Sequence, residues 1–215
     1  MTVRHQIRLV CGLIGTLALG AHSSWAIDIN LSSEEAHKTL ETGRIPMEKA
    51  NSQDDVKKVL QQASLATRVG ADPETDPCGA SAVLRTKRYR LEAFGRQEAA
   101  ESKKRKAEIR MPEEFIKKVM DMPNMEIEVQ LCGDDEYFAE GVLIELQQGS
   151  KRIKAIDIGK AERGRKNETN GPAYRSRFTA LFAYEQFDPT AASVFVVNLQ
   201  DGKEIRIPAE FSKVK

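Results

Sequence analysis

The chain has 215 residues, with 33 basic against 32 acidic side chains and a formal net charge of +1. That balance supplies no net field to draw in nucleic acid or anionic lipid. No stretch of it carries a catalytic or cofactor signature, so no cofactor is expected.

Met1–Ala26 reads as an export leader. Arg4 and Arg8 form a basic start, Leu9 to Ala21 is apolar, and Ser24-Trp25-Ala26 offers small residues where cleavage occurs. The apolar run is too short to span a bilayer. Cys11 sits inside it, and Arg8-Leu9-Val10 lacks the small residue that a lipidated cysteine needs. Without the leader, 31 basic residues face 32 acidic ones, a charge near −1. The only Trp, Trp25, departs with the leader, as do His5 and His22, leaving His37 as the one histidine. A periplasmic or secreted protein with no membrane span is the expectation.

The next segment, 27–70, reads as helical. Ser32 or Ser33 caps a helix over Glu34–Thr42, Gly43 stops it, and Ile45-Pro46 breaks the chain. A second helix starts at Ser52 with Asp55 completing a capping box, and Gly70 closes it. Val56, Val59, Leu60, Ala63 and Ala66 share one face of that helix. The stripe is narrow and packs either on the following domain or on a partner.

Residues 71–80 have a linker's composition, with two prolines and three acids. Beyond them, 81–215, strand patterns dominate, at about 82–94, 105–111, 125–132, 137–148, 152–158, 173–185, 192–199 and 203–207. Met125, Ile127, Val129 and Leu131 alternate with Glu126, Glu128 and Gln130, so one sheet face is buried and one wet. Tyr174, Phe178, Ala180, Phe182 and Tyr184 place aromatic bulk on one face of another strand. Val194–Val197 runs apolar without a break, which suits a central strand covered on both sides. Asp201-Gly202 marks a tight hairpin. Between strands, Pro112–Met120 reads as a short helix with Phe115, Ile116 and Val119 inward. The fold class expected is mainly β: an antiparallel β-sandwich of about eight strands behind an N-terminal helical segment.

Two cysteines follow the leader, Cys78 and Cys132. In an oxidising compartment they read as one disulfide. A metal or redox pair would need C-x-x-C spacing or added histidines, and neither is present.

One run of letters occurs twice. Glu108-Ile-Arg-Met-Pro-Glu-Glu-Phe115 matches Glu204-Ile-Arg-Ile-Pro-Ala-Glu-Phe211 at most positions. Alternating apolar residues before a proline suggest a strand that ends in a turn, its aromatic folding back on the core. Duplication of a two-strand unit is one reading. Two strands of one sheet ending alike is the other.

Candidates for chemistry are few. A hydrolytic triad would have to use His37, which lies on a capped surface helix. Asp134, Asp135 and Glu136 offer an oxygen-rich turn as candidate metal ligands, without the spacing of a known calcium loop. Tyr137, Phe138, Arg163, Arg165 and Lys166 form the candidate contact surface, while Lys103–Lys106 is a second basic cluster. Mixed charge on such loops commonly serves to solvate and blunt sheet edges.

The function expected is therefore an exported, non-enzymatic interaction or structural module, whose partner is another envelope or secreted protein. A ligand-binding sandwich for an envelope polymer or small molecule is the alternative. A carboxylate-dependent hydrolase ranks third.

Overall fold

A computed structural model of the chain describes residues 27–168 and 171–214. The export leader expected over Met1–Ala26 lies outside the described residues. Those residues build two antiparallel sheets and four α-helices.

The helices are α1 (Ser33–Lys49), α2 (Gln53–Ala66), α3 (Lys87–Arg105) and α4 (Glu113–Met120). The first sheet contains β1 (Arg68–Gly70), β2 (Ser81–Arg85), β3 (Asn124–Gly133), β6 (Asp157–Ile158), β7 (Arg165–Lys166) and β8 (Tyr174–Ala183). Its order is β1-β2-β3-β8-β6, with β7 also pairing β8. The second contains β4 (Leu143–Gln148), β5 (Lys151–Lys154), β9 (Ser193–Asn198) and β10 (Glu204–Ala209), in the order β10-β9-β4-β5.

Both sheets turn apolar residues into one buried cluster. Met125, Ile127, Val129 and Leu131 of β3 and Phe178 and Phe182 of β8 meet Ile144, Leu146, Phe195 and Val197 of the second sheet. Phe182 and Phe195 join the layers with ring centroids 5.5 Å apart. The expected alternation along β3 is realised from Met125 to Val129, Gln130 being buried as well, and β9 lies between β10 and β4 as its unbroken apolar run implies. At Asp201-Gly202 the chain turns between β9 and β10, Gly202 taking φ +85°.

Several expectations need correction. Residues 82–94 are not one strand: β2 stops at Arg85, and Thr86 caps α3 by accepting from the Tyr89 amide at 3.1 Å. Residues 105–111 are not a strand either, and with ten strands the count exceeds eight among the described residues. Helix is thus not confined to the N-terminal segment, because α3 and α4 lie between β2 and β3. Finally, α1 runs through Gly43 and Pro46 to Lys49.

The reason lies in how α1 meets α3. A Cβ on Gly43 would sit 2.0 Å from the Glu92 carbonyl oxygen, and one on Gly95 would sit 1.9 Å from that of Leu40. Two glycines let the helix backbones touch, so Gly43 is a packing residue and not a stop. Lys103 then caps the far end of α1, donating to the Met47 and Ala50 carbonyls at 2.9 and 2.5 Å.

The second helix, α2, begins at Ser52 with the expected capping box but ends at Ala66, where the chain enters β1. No α2 residue is fully buried. Val56 and Val59 pack on Met47, Ala50 and Ala99, while Leu60 stays 52% exposed. Residues 71–80 form the loop between paired strands β1 and β2, closed by the Ala71 amide on the Ala80 carbonyl at 3.0 Å.

The twin stretches part company. The second forms β10 and a 3-10 turn that buries Phe211. The first is irregular backbone over 108–112, clamped by α1 and α3, and its last three residues open α4. Glu98 accepts from the Met111 amide at 2.5 Å, Ser102 brackets Ile109, and Arg44 donates to the Ile109 carbonyl. Phe115 is 41% exposed and not inward, although Ile116 and Val119 are buried as expected. With strand, helix and irregular chain before one copy and three strands ending in the other, the two halves share no common fold unit.

Candidate functional site

Two clefts flank the segment that joins β6 to β8. Their walls come from the turn after β3 and from the outer positions of β8.

The turn after β3 begins at Gly133, where any side chain would strike the Phe138 ring at 2.3 Å. Phe138 is thereby half-buried and packs against the core between the sheets. Asp135 shapes the turn by accepting from the Tyr137 amide at 2.6 Å. Tyr137 points outward and is 51% exposed.

Opposite it, the Gly164 amide donates to the Glu136 carbonyl at 2.7 Å and draws the 158–164 segment alongside. Arg163 is thereby placed over the Tyr137 ring, its guanidinium carbon 5.3 Å from the centroid. Its Nε and Nη2 both donate to one Glu136 oxygen, at 2.8 and 2.6 Å. The hydrogen bond to Glu136, then that residue's charge, raise the Arg163 pKa above the ordinary arginine value. A cationic fork, an aromatic face and a carboxylate form one arrangement. It borders a cleft of about 830 Å³ whose other walls include Val142, Leu143, Ile158 and Ala161. Leu143 is 62% exposed there, the most exposed large apolar side chain among the described residues.

Of the residues expected at a contact surface, Tyr137 and Arg163 thus come together. Arg165 and Lys166 form β7 and face the neighbouring cleft, and Phe138 turns inward. The other basic cluster, Lys103–Lys106, ends α3, where cations oppose the helix dipole. Leu143, Arg175 and Arg177 belong to these clefts and were not singled out in the sequence. Only their place on the polar side of an alternating strand marks the two arginines.

Two carboxylates of the acidic turn have partners within the protein. Glu136 is taken by Arg163 and Asp135 by a backbone amide, and among the described residues no three His, Cys, Asp or Glu side chains converge to hold a metal. His37 joins helices instead. Its Nδ1 meets the Ser33 carbonyl at 2.7 Å and its Nε2 meets Glu113 at 2.8 Å, linking α1 to α4. Those two hydrogen bonds raise its pKa, the Ser33 carbonyl contributing most.

Cys78 and Cys132 stand at disulfide distance, their Cα atoms 5.4 Å apart, across 54 residues of sequence. The pair ties the β1–β2 loop to the end of β3, behind the second cleft. No helix of the described residues is long and apolar enough to cross a membrane. Comparison with protein families, curated proteins and solved structures finds no match to this chain.

Proposed function

We propose that this chain is an exported, non-enzymatic interaction module with a sandwich-like β body, and that the Tyr137–Arg163 cleft is its contact surface. The observation that supports this is the cluster of Tyr137, Leu143 and Arg163, exposed together at one rim. Tyrosine and arginine are enriched where binding energy concentrates, and an Arg already stacked and forked loses little freedom on docking. Solvent-facing Leu143 adds apolar area that the fold itself does not use. The partner is a protein of the same compartment, periplasmic or secreted.

A photo-crosslinking residue at position 143, against a control at Lys57 on α2, tests the reading in the native host. An adduct specific to position 143 identifies the partner, whose affinity is then measured for the wild type and for Tyr137→Ala/Arg163→Glu. We expect the double variant to weaken binding by about tenfold or more. Absence of a specific adduct, or a captured partner that binds the variant as tightly as the wild type, refutes the proposal.

A further inference from the structure

Beside the Tyr137–Arg163 cleft, and sharing only Glu162 with it, lies a second cleft of about 470 Å³. Arg165, Lys166, Arg175 and Arg177 line it against two carboxylates, Glu162 and Glu168.

Sheet register concentrates this charge. Arg165 is the direct partner of Arg175 in the antiparallel β7–β8 pair. Directly opposed residues project to one face with Cβ atoms about 5 Å apart, and like charges so placed weaken the pair. Arg177, two residues along β8, shares that face.

Little inside the protein offsets the repulsion. Glu162 reaches Arg165 only at 3.6 Å, with the Arg165 side chain 84% exposed, a pairing worth little. Arg177 has Glu128 at 3.8 Å, a carboxylate that Arg85 already engages. Lys166 and Arg175 have no carboxylate within 4.0 Å among the described residues.

Arg175 is also built in. Its Nη2 donates to the Pro77 carbonyl and to Asn167 Oδ1, each at 3.1 Å, and Asn167 in turn leans on Cys78 Sγ. The Arg175 Nε is buried and has no hydrogen-bond partner. The field extends to Arg68, whose pKa is lowered first by desolvation and next by the Arg177 charge.

A row of cations whose carboxylate partners are few and distant calls for a ligand with several anionic oxygens. A single carboxylate fills one guanidinium fork. Phosphoryl oxygens match the forks of more than one arginine, and a chain of two or more phosphates spans the row. We infer that this cleft binds a condensed phosphate, a diphosphate group or longer, through Arg165, Arg175 and Arg177, with Lys166 adding charge. The site does not depend on the contact surface proposed above, so either can fail alone.

Titration calorimetry of the oxidised protein with pyrophosphate at low ionic strength is the test, with citrate as a carboxylate of comparable charge. Arg165→Glu/Lys166→Glu changes exposed strand residues. Lys57→Glu/Lys58→Glu on α2 gives the same change in net charge elsewhere. We expect saturable pyrophosphate binding, weaker citrate binding, and a loss of about tenfold or more only in the first variant. A stronger response to long-chain polyphosphate than to pyrophosphate, per phosphate, identifies a polymer ligand. Absence of saturable binding, equal binding of citrate, or equal weakening by both variants overturns the inference.

Discussion

Replacing Gly95 with alanine sets two effects of opposite sign against each other. Intrinsic helix propensity favours Ala over Gly by about 1 kcal/mol in a helix interior. Packing says the reverse. The new Cβ would lie 1.9 Å from the Leu40 carbonyl oxygen, where ordinary contact begins at 3.4 Å, so α1 and α3 would have to separate by about 1.5 Å. Neither atom is the free end of a side chain, and neither can rotate away. A radial gap of only about 0.5–1 Å already forfeits a quarter to a half of a dispersion contact.

The separation also stretches the buried Arg44–Glu98 pair, 3.3 Å across the same interface. Overpacking of this kind costs about 3 kcal/mol, the upper end of the usual range, because the clash is backbone to backbone. Net destabilisation should be about 2 kcal/mol. Urea unfolding followed by far-UV circular dichroism measures it, with Ala100→Gly on the solvent face of α3 as the propensity control. Gly43→Ala should behave alike, and the double variant should lose less than the sum, since one separation relieves both clashes. If Gly95→Ala is neutral or stabilising, the close approach of α1 and α3 is wrong.

Tyr184→Phe should be neutral or stabilising by up to about 1 kcal/mol at neutral pH, because the buried hydroxyl makes no hydrogen bond of normal geometry. Burial holds its pKa near 12 against an ordinary 10.0, so above pH 10 only the unfolded chain ionises there and stability falls as pH rises toward 12. The wild type should therefore lose about 2–3 kcal/mol over that span that the variant keeps, and parallel stability–pH curves would contradict this. Replacing Cys78 and Cys132 together by alanine should cost about 4 kcal/mol by the loop-closure relation for a 54-residue separation. Equal urea midpoints for oxidised wild type and the double variant would show that no such bond constrains the chain.

What was legible in the sequence was whatever one strand or one helix end determines by itself. Met125 to Val129 alternate and are buried in alternation. Ser52 with Asp55 forms the capping box that the letters imply. Helix α3 is illegible because its buried residues are Lys87, Leu91, Gly95, Arg96, Glu98 and Ala99, spaced as a helix but not apolar. A hydrophobic pattern cannot register a face that packs through glycine and a buried ion pair. Signals of another kind were present: Thr86 as a cap, and the basic run Lys103–Lys106 as a helix end. The candidate site divides in the same way. Tyr137 and Arg163 stand out by residue type, whereas Arg175 and Arg177 acquire meaning only once register sets Arg165 opposite Arg175.

The twin stretches carry that argument to its limit. The leading part of Glu-Ile-Arg-x-Pro-x-Glu-Phe becomes β10 where β9 offers a free edge, and irregular chain over 108–112 where Glu98, Ser102 and Arg44 take up its backbone groups. In both places backbone polar groups find partners, which is the requirement that folding enforces. In one they are a neighbouring strand, in the other side chains of two helices. Local propensity leaves such a segment undecided, and the identity of the nearest unsatisfied donors and acceptors decides it. Glu98 is the side chain on which the irregular form turns, because it holds the Met111 amide while bound to Arg44 and is only 3% exposed. A carboxylate so placed costs desolvation that is recovered only while both partners stay. The first copy is therefore kept out of a strand by a tertiary contact that its own eight residues do not encode.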